Sequence, residues 1–310
     1  MDGPPFFIVG SARSGTTLLR LMLNSHRAVA IPPESRFIAE LWTGRDEVEI
    51  DELLAGLDGD KRFQTWDLPI AAVRREFEGR SSARYAEVME ATYCAYARAQ
   101  GKRRWGDKTP RYVMHIPLLG SLWPDARFIH LIRDGRNVAL SYADVPFGPK
   151  NVAMAAKLWS DRVQVGLRDG RALGGKRYLE ISYEDLVEDP EGETKDLCEF
   201  LHLDFDPEML NYSEAGAGAA LSRAKSFNPH VTQPPKPQLR SWEASMRDDH
   251  VEIFEAVAGD VLSELGYGRR FPAPSPVARA KAFLGNRGLP VGRLRRSGDR
   301  VRTEASGMDS

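Results

Sequence analysis

Residues Phe6 to Leu19, FFIVGSARSGTTLL, decide the fold of this chain. Phe6 to Val9 form an apolar run that predicts a short buried strand, and Thr16 to Leu23 predict the first helix. The loop Gly10 to Gly15 lies between them. A strand, a loop and a helix in this order direct backbone N–H groups and the positive end of the helix dipole at one place. The stretch therefore predicts an anion site suited to phosphate.

The loop has the spacing of the phosphate-binding P-loop, G-x-x-x-x-G-K-[ST], without its lysine. Gly10, Gly15 and Thr17 meet the spacing, whereas Thr16 stands where the lysine would be. Arg13 supplies a cation inside the loop instead, and a guanidinium can bind two oxygens of a phosphate or sulfate. Hydroxyl groups of the loop add neutral donors. The alternative interpretation is a glycine-rich turn that only begins a packed strand-helix unit.

The composition is that of a soluble globular protein. The 310 residues are 42% apolar and 28% charged, and they can bury a sizeable core. No apolar run approaches the ~18 residues of a membrane span, and the first strand begins almost at residue 1, so we expect no signal peptide and a cytoplasmic location. Cys94 and Cys198 match no metal-ligand spacing and are expected to be reduced core thiols.

Charge is distributed unevenly along the chain. From Ala273 onward eight Lys and Arg stand against three Asp and Glu, so this region carries +5 and residues 1–272 carry −6. A basic patch for nucleic acid would be confined to 273–310, and no nucleic-acid partner is expected. The Pro, Gly, Ser and Arg content of 273–310 predicts a basic, disordered tail after a single domain over 1–272.

Apolar and amphipathic segments alternate along the rest of the chain. Apolar runs at 28–31, 126–132 and 177–181 predict strands, and 37–100 is predicted to be a helical insertion. Strands that alternate with helices imply a parallel sheet with right-handed crossovers, which is a three-layer α/β/α fold. Further helices are predicted over 137–143, 151–173, 190–203 and 242–265, and 215–238 is a long irregular segment of the kind that forms a lid or binding element.

Polar residues follow several of the predicted strands. Glu34 comes after the second strand, Lys108 lies at a strand-to-loop junction, and Arg133 follows the strand at 126–132. The carboxyl ends of parallel strands meet at one edge of a sheet, where ligands bind. Cations and phosphate donors would therefore gather there, and two separated anion sites predict a ligand that is phosphorylated at two places.

These motifs make the chain resemble the PAPS-dependent sulfotransferases, where PAPS is 3′-phosphoadenosine 5′-phosphosulfate. Gly10 to Leu18 resembles the family's 5′-phosphosulfate loop, and Phe128 to Ser141 resembles its 3′-phosphate motif. The motifs lie about 120 residues apart, each at a strand-to-helix junction, and the likeness covers most of residues 5 to 270. The resemblance implies a P-loop-like sulfotransferase fold, PAPS as the donor, adenosine 3′,5′-bisphosphate as the product, and no metal.

The resemblance also assigns roles to individual residues. Arg13 and Lys108 would hold the transferring group, and Glu34 would be the base, as in the branch that includes tyrosylprotein sulfotransferases and many bacterial enzymes. Cytosolic sulfotransferases use a histidine soon after a Lys-Thr pair, and His115, seven residues past Lys108, is the alternative base here. The residues expected to bind the nucleotide are Arg13, Ser14, Gly15, Thr16, Thr17, Arg133, Ser141, Tyr183 and Lys236.

The expected function is transfer of a sulfuryl group from PAPS to a hydroxyl or amine. The acceptor is left open among carbohydrates, lipids, peptides and small metabolites, and a homodimer is also left open. The alternative is a P-loop kinase or NTPase, which needs a loop lysine and an acidic Mg²⁺ ligand at the end of a strand. The lysine is absent, although Asp134 could imitate the second feature. Arg36 and Arg136 are interpreted as solvated charges.

Overall fold

The computed structural model describes residues 2–145, 148–212 and 241–291. The irregular segment predicted at 215–238, Lys236 within it, and the end of the predicted tail lie outside these residues. The chain divides into two units. The sheet unit comprises Met1–Gly10, Gly15–Leu131 and Val165–Pro235, and the helical unit comprises Ser11–Ser14, Ile132–Gln164 and Lys236–Ser310.

The sheet unit is built on a five-stranded sheet with the order β2-β5-β1-β6-β7. The strands of the described residues are β1 (Phe6–Gly10), β2 (Val29–Ala30), β3 (Glu47–Glu49), β4 (Ser82–Arg84), β5 (Arg104–Lys108), β6 (Arg127–Ile132) and β7 (Tyr178–Ser182). Parallel pairs join β1 to β5, β1 to β6 and β2 to β5. The strands predicted at 6–9, 28–31, 126–132 and 177–181 all form within one residue of these bounds, and β5 ends at Lys108, where a strand-to-loop junction is predicted. The parallel α/β prediction is confirmed.

Helices alternate with these strands as predicted. The α-helices are α1 (Thr16–Ser25), α2 (Phe37–Glu40), α3 (Ile50–Gly59), α4 (Ile70–Arg74), α5 (Tyr85–Ala99), α6 (Ile116–Leu122), α7 (Gly135–Tyr142), α8 (Val152–Arg171), α9 (Tyr183–Glu188), α10 (Pro190–Leu201), α11 (Trp242–Ser245), α12 (Asp248–Glu264) and α13 (Pro276–Asn286). Short 3₁₀ helices occur at Phe63–Trp66, Arg75–Phe77, Pro110–His115 and Pro207–Met209. Across the described ranges, no helix is long and apolar enough to span a bilayer.

Both faces of the sheet are covered. Successive side chains of a strand point to opposite faces, so Phe7 joins a cluster with residues of α3 and α5, while Phe6 and Ile8 join another with residues of α1 and α10. This arrangement confirms the three-layer prediction and explains why β1 is apolar at every position. Cys94 and Cys198 lie unpaired and buried in the two clusters, as expected.

The region 37–100 contains a feature that the sequence did not predict. Besides helices α2 to α5, it holds an antiparallel pair in which Glu47 lies opposite Arg84, and Glu49 opposite Ser82. Each strand is only three residues long and carries exposed charges. An apolar period of two therefore has no room to appear in the sequence, because such a pattern needs at least four residues.

The helical unit contains a buried charge network, which makes the interpretation of Arg136 as a solvated charge wrong. Arg136 is 1% exposed. Its guanidinium donates to Asp134 Oδ2 and to Glu255 Oε1, each at 2.7 Å, and stacks on Trp242 at 3.6 Å from the ring centre. The guanidinium is therefore paired with two buried carboxylates and stacked on an aromatic ring. These contacts connect α7 to α11 and α12.

Part of the region predicted to be a disordered tail is helical. Ser275 caps α13 by accepting a hydrogen bond from the backbone N–H of Ala278 at 3.2 Å, and Pro276 occupies the first turn. Ala278 and Ala282 are buried, and Asn151 Nδ2 donates to the carbonyl of Gly285 at 3.2 Å. Small residues on one side of this helix allow close packing, which bulk composition does not reveal.

We expect Arg136→Met to lower the free energy of unfolding by about 3–5 kcal/mol, because it leaves the buried carboxylates of Asp134 and Glu255 without their cation. The matched control is Lys157→Met, since Lys157 pairs with Asp161 at 2.8 Å on an exposed helix surface. That change should cost less than about 1 kcal/mol. Urea unfolding followed by circular dichroism measures both, and equal losses would contradict the role given to Arg136.

Candidate active site

In the sheet unit, Gly15 and Tyr183 lie in direct contact. Gly15 precedes α1 and has φ 97°, a left-handed conformation that favours glycine. A Cβ atom added there would lie 2.2 Å from Cδ2 of Tyr183, the first residue of α9. The ring therefore packs against the loop backbone, at the place where the N–H groups of Thr16 and Thr17 begin the helix. The structure brings these predicted nucleotide residues together.

In the helical unit, the loop residue Arg13 contacts the second predicted phosphate motif. Arg13 Nε donates to Ser141 Oγ at 2.9 Å, although 128 residues separate them in the chain. Arg13 itself has φ 73°, which is uncommon for a residue with a side chain and often marks a functional site. The neighbouring Ser14 is fully buried, and its Oγ has no hydrogen-bond partner in the described structure.

Arg133 lies directly after β6 and is 9% exposed. Its carbonyl accepts a hydrogen bond from Trp159 Nε1 at 3.0 Å, which fixes the backbone at the end of the strand. The next residue, Asp134, caps α7 by accepting from the backbone N–H of Arg136 at 2.8 Å. Arg133 therefore precedes a well-anchored helix start, where backbone N–H groups and the helix dipole favour an anion, and Ser141 lies in the last turn of the same helix.

Glu34, Lys108 and Thr17 form a polar group in the sheet unit. Lys108 Nζ donates to Glu34 Oε1 at 2.5 Å and to Thr17 Oγ1 at 3.5 Å. The Lys108 side chain is 5% exposed, and that of Glu34 is 39% exposed. Burial alone would raise the pKa of Glu34, but the Lys108 ammonium, together with the charges of Arg36 and Arg20, outweighs it, so the pKa lies below the ordinary 4.5. Glu34 is thus a carboxylate at neutral pH.

A second, fully buried network lies beside this ion pair. Asp107 Oδ2 accepts hydrogen bonds from Ser35 Oγ at 2.9 Å and from Tyr93 at 2.7 Å. Ser35 Oγ also lies 2.7 Å from the hydroxyl of Tyr112, and its backbone N–H donates to Thr109 Oγ1 at 3.1 Å. Burial raises the pKa of Asp107 to about 6. Sequence reasoning assigned no role to Asp107, although it directly adjoins Lys108.

The structure contradicts the interpretation of Arg36 as a solvated charge. It is half-buried, its Nε lies in the interior without a hydrogen-bond partner in the described structure, and its charge helps to lower the pKa of Glu34. Its φ of 69° and ψ of −27° place a residue with a side chain in a sparsely populated region. The backbone two residues after Glu34 is therefore held in a strained conformation.

His115, the alternative base, lies at the end of the 3₁₀ helix Pro110–His115. Its ring packs edge-on against Tyr112, with 6.3 Å between ring centres. Burial, reinforced by the charge of Arg111, lowers its pKa below 6.5, so the imidazole is neutral at pH 7. None of its contacts in the described residues joins it to Lys108. Lys236, predicted to reach the 3′-phosphate, lies outside the described residues.

Comparison with known proteins gives consistent matches. A model described as the sulfotransferase family matches residues 4–207. Protein-tyrosine sulfotransferase A of Caenorhabditis elegans is 27% identical over 272 residues, which cover 85% of this chain and 67% of that protein. The nodulation protein NoeE of Sinorhizobium fredii is 29% identical over 296 residues, which cover 84% and 65%. The chain thus spans about two thirds of the length of these relatives.

A solved structure shares the fold. The sulfotransferase domain from the curacin biosynthetic pathway superposes with a TM-score of 0.55 at 22% identity, covering 87% of this chain and 99% of that domain. At this level of identity the likeness concerns the fold alone.

The raised pKa of Asp107 predicts that the protein gains stability as the pH falls from 7 to 4. The folded state keeps the Asp107 proton up to about pH 6, whereas an ordinary aspartate loses it near 3.8. Between these values the folded state binds more protons, so the free energy of unfolding falls as the pH rises, by about 3 kcal/mol in total. Urea unfolding at pH 4.5 and at pH 7 measures this difference in the free energy of unfolding. The Asp107→Asn variant should lack the part of the pH dependence that comes from Asp107. An unchanged difference between the two pH values would show that Asp107 ionises normally.

Proposed function

The chain belongs to the sulfotransferase family, and we propose that it moves the sulfuryl group of PAPS to a hydroxyl, or an amine, of an acceptor. The observation that carries this proposal is the contact of Lys108 with both Glu34 and Thr17. It places a cation beside the start of α1, where an anion is favoured, and a carboxylate beside that cation. One group can thus hold a transferring anion while the other accepts a proton.

The residues of the loop fit the anionic end of PAPS. Ser14 Oγ is a buried polar atom without a partner in the described structure, which is a costly arrangement unless a ligand supplies an acceptor. Arg13 adds a guanidinium, and residues 15–17 add backbone N–H and hydroxyl donors. PAPS supplies an activated sulfuryl group when it is bound. We propose that Arg133 and Ser141 hold its 3′-phosphate, as the resemblance implies.

The chemistry of transfer follows from the ion pair. As the acceptor oxygen attacks sulfur, the bond from sulfur to the 5′-phosphate oxygen of PAPS would break and adenosine 3′,5′-bisphosphate would leave. Glu34 would take the proton of the acceptor hydroxyl, which then resides on a Glu34 carboxyl oxygen. An ammonium has three N–H donors, of which Glu34 and Thr17 take two in the described structure. The third is available for an oxygen of the transferring group. Lys108 would therefore neutralise charge where it develops, and the resemblance implies the same role for Arg13.

A P-loop kinase or NTPase is not favoured. Thr16 replaces the lysine that reaches the β- and γ-phosphates. Asp134, which could have imitated the acidic Mg²⁺ ligand, has both carboxyl oxygens engaged by Arg136: Oδ1 accepts from Nε at 3.0 Å and Oδ2 from Nη2 at 2.7 Å. This carboxylate serves the buried charge network of the helical unit instead.

The test of the function is a transfer assay with ³⁵S-labelled PAPS against a panel of acceptors. The panel should contain a tyrosine peptide, because the Caenorhabditis elegans relative is named a protein-tyrosine sulfotransferase, together with an oligosaccharide, a glycolipid and a small phenol. Incorporation of label into one class identifies the acceptor. Absence of transfer to every class, combined with tight binding of ADP and Mg²⁺ in calorimetry, would contradict the proposal.

We expect Glu34→Gln to lower kcat by about 10²–10⁴ because the amide cannot accept the proton. The affinity for adenosine 3′,5′-bisphosphate should stay within about twofold of the wild type, since the shape of the side chain is kept. His115→Ala is the control and should change kcat less than about threefold. The reverse pattern, with a large loss in the histidine variant only, would make His115 the base.

We expect Arg133→Gln to weaken binding of adenosine 3′,5′-bisphosphate at least about tenfold, since a charge-assisted hydrogen bond to phosphate contributes about 1.5–3 kcal/mol. The affinity for adenosine 5′-phosphate, which lacks the 3′-phosphate, should be unaffected. This second ligand also controls for misfolding of the variant. Isothermal titration calorimetry measures both affinities, and equal losses for the two nucleotides would remove Arg133 from the 3′-phosphate site.

A further inference from the structure

Two adjacent pairs of residues join the same two segments of the sheet unit. Glu34 and Ser35 lie in the segment after β2, and Asp107 and Lys108 end β5. The register places Lys108 opposite Ile8 and Asp107 opposite Phe7, so the side chains of Asp107 and Lys108 point to opposite faces of the sheet. The Glu34–Lys108 contact therefore lies on one face and the Ser35–Asp107 contact on the other.

The segment that carries Glu34 depends on Ser35 for its position. It is irregular, and Arg36 adopts a strained backbone conformation immediately before α2. Ser35 is fully buried and makes side-chain or backbone hydrogen bonds to Asp107, Thr109 and Tyr112. Strained backbone persists only where its surroundings over-determine it. These contacts supply that constraint at the residue next to the base.

We propose that Ser35 and Asp107 form a latch that positions Glu34 against Lys108, so that both are positioning residues for proton transfer. The inference rests on the proposed role of Glu34 as the base. The latch holds the segment after β2 and the end of β5 at a fixed separation on the buried face. This separation sets the distance between Glu34 and Lys108 on the other face. A carboxylate that drifts from its productive position by about 1 Å can lose a large part of its catalytic effect.

The energetics of Asp107 do not match a purely structural role. Asp107 is fully buried, its Oδ1 has no hydrogen-bond partner in the described structure, and its pKa is raised to about 6, so its charge opposes folding at neutral pH. An apolar residue in this position would avoid that cost. The carboxylate provides an acceptor for Tyr93 and for Ser35, and through Ser35 a fixed position for Glu34.

The chain offers a matched pair of variants. Ser35→Ala removes the bonds that join the Glu34 segment to Asp107 Oδ2 and to the Tyr112 hydroxyl, whereas Tyr93→Phe removes the bond from Asp107 Oδ2 to α5. Both delete one buried hydroxyl. We expect Ser35→Ala to lower kcat about tenfold or more, with KM for PAPS within about twofold, and Tyr93→Phe to leave kcat within about twofold. Thermal unfolding of both variants shows whether loss of activity follows loss of stability.

A second readout does not require activity. Carboxyl ¹³C NMR of Glu34, assigned with Glu34→Gln, follows its titration. A loosened ion pair in Ser35→Ala should let the pKa of Glu34 rise toward its ordinary value, while Tyr93→Phe should keep it low. If the two variants titrate in this way but the wild-type protein transfers no sulfate to any acceptor, the latch is upheld and the proposed function is rejected. The latch would be overturned if Ser35→Ala kept the wild-type kcat and an unchanged Glu34 titration. Equal losses of kcat in Ser35→Ala and Tyr93→Phe would also overturn it.

Discussion

The chemistry available to the sheet unit depends on one interaction, the hydrogen-bonded ion pair of Lys108 and Glu34. The Lys108 side chain is 5% exposed, and an ammonium taken out of water at this depth is costly unless a carboxylate compensates it. Glu34 provides that compensation while keeping 39% of its side chain exposed. The buried ammonium is therefore compensated, and the carboxylate remains accessible to an acceptor.

The sheet supplies the geometry for this pair. Phe6 faces Gly106 in the parallel register of β1 and β5, and a Cβ atom at Gly106 would lie 2.3 Å from the Phe6 ring. The glycine thus lets the two strands keep their register up to Lys108, two residues later. The same register sends Asp107 to the opposite face of the sheet. The packing of the Phe6 ring against Gly106, which has no side chain, thereby fixes the positions of Lys108 and Asp107.

The sequence predicts those parts of the molecule that are encoded by local patterns. The strand at Phe6–Gly10 and the loop after it follow from an apolar run and glycine spacing. Glu34 and Lys108 follow from their places after predicted strands, and the family resemblance supplies their roles. The bond between Ser35 and Asp107 could not be predicted in this way, since 72 residues separate them. Arg136 illustrates the same limit: its partner Glu255 is 119 residues away, and an arginine in a polar stretch looks solvated until the fold brings in the carboxylate.

The ion pair also links binding of an anion to the strength of the base. The ammonium of Lys108 lowers the pKa of Glu34, and this makes Glu34 a weaker base than an isolated glutamate. An anion that accepts a hydrogen bond from the remaining N–H of Lys108 would partly neutralise the charge of Lys108. The ammonium would then lower the pKa of Glu34 less, and that pKa would rise. The carboxylate would then become a better proton acceptor only when a sulfuryl donor is in place. A latch on the buried face suits this exchange, because it keeps Glu34 near Lys108 while their mutual attraction weakens.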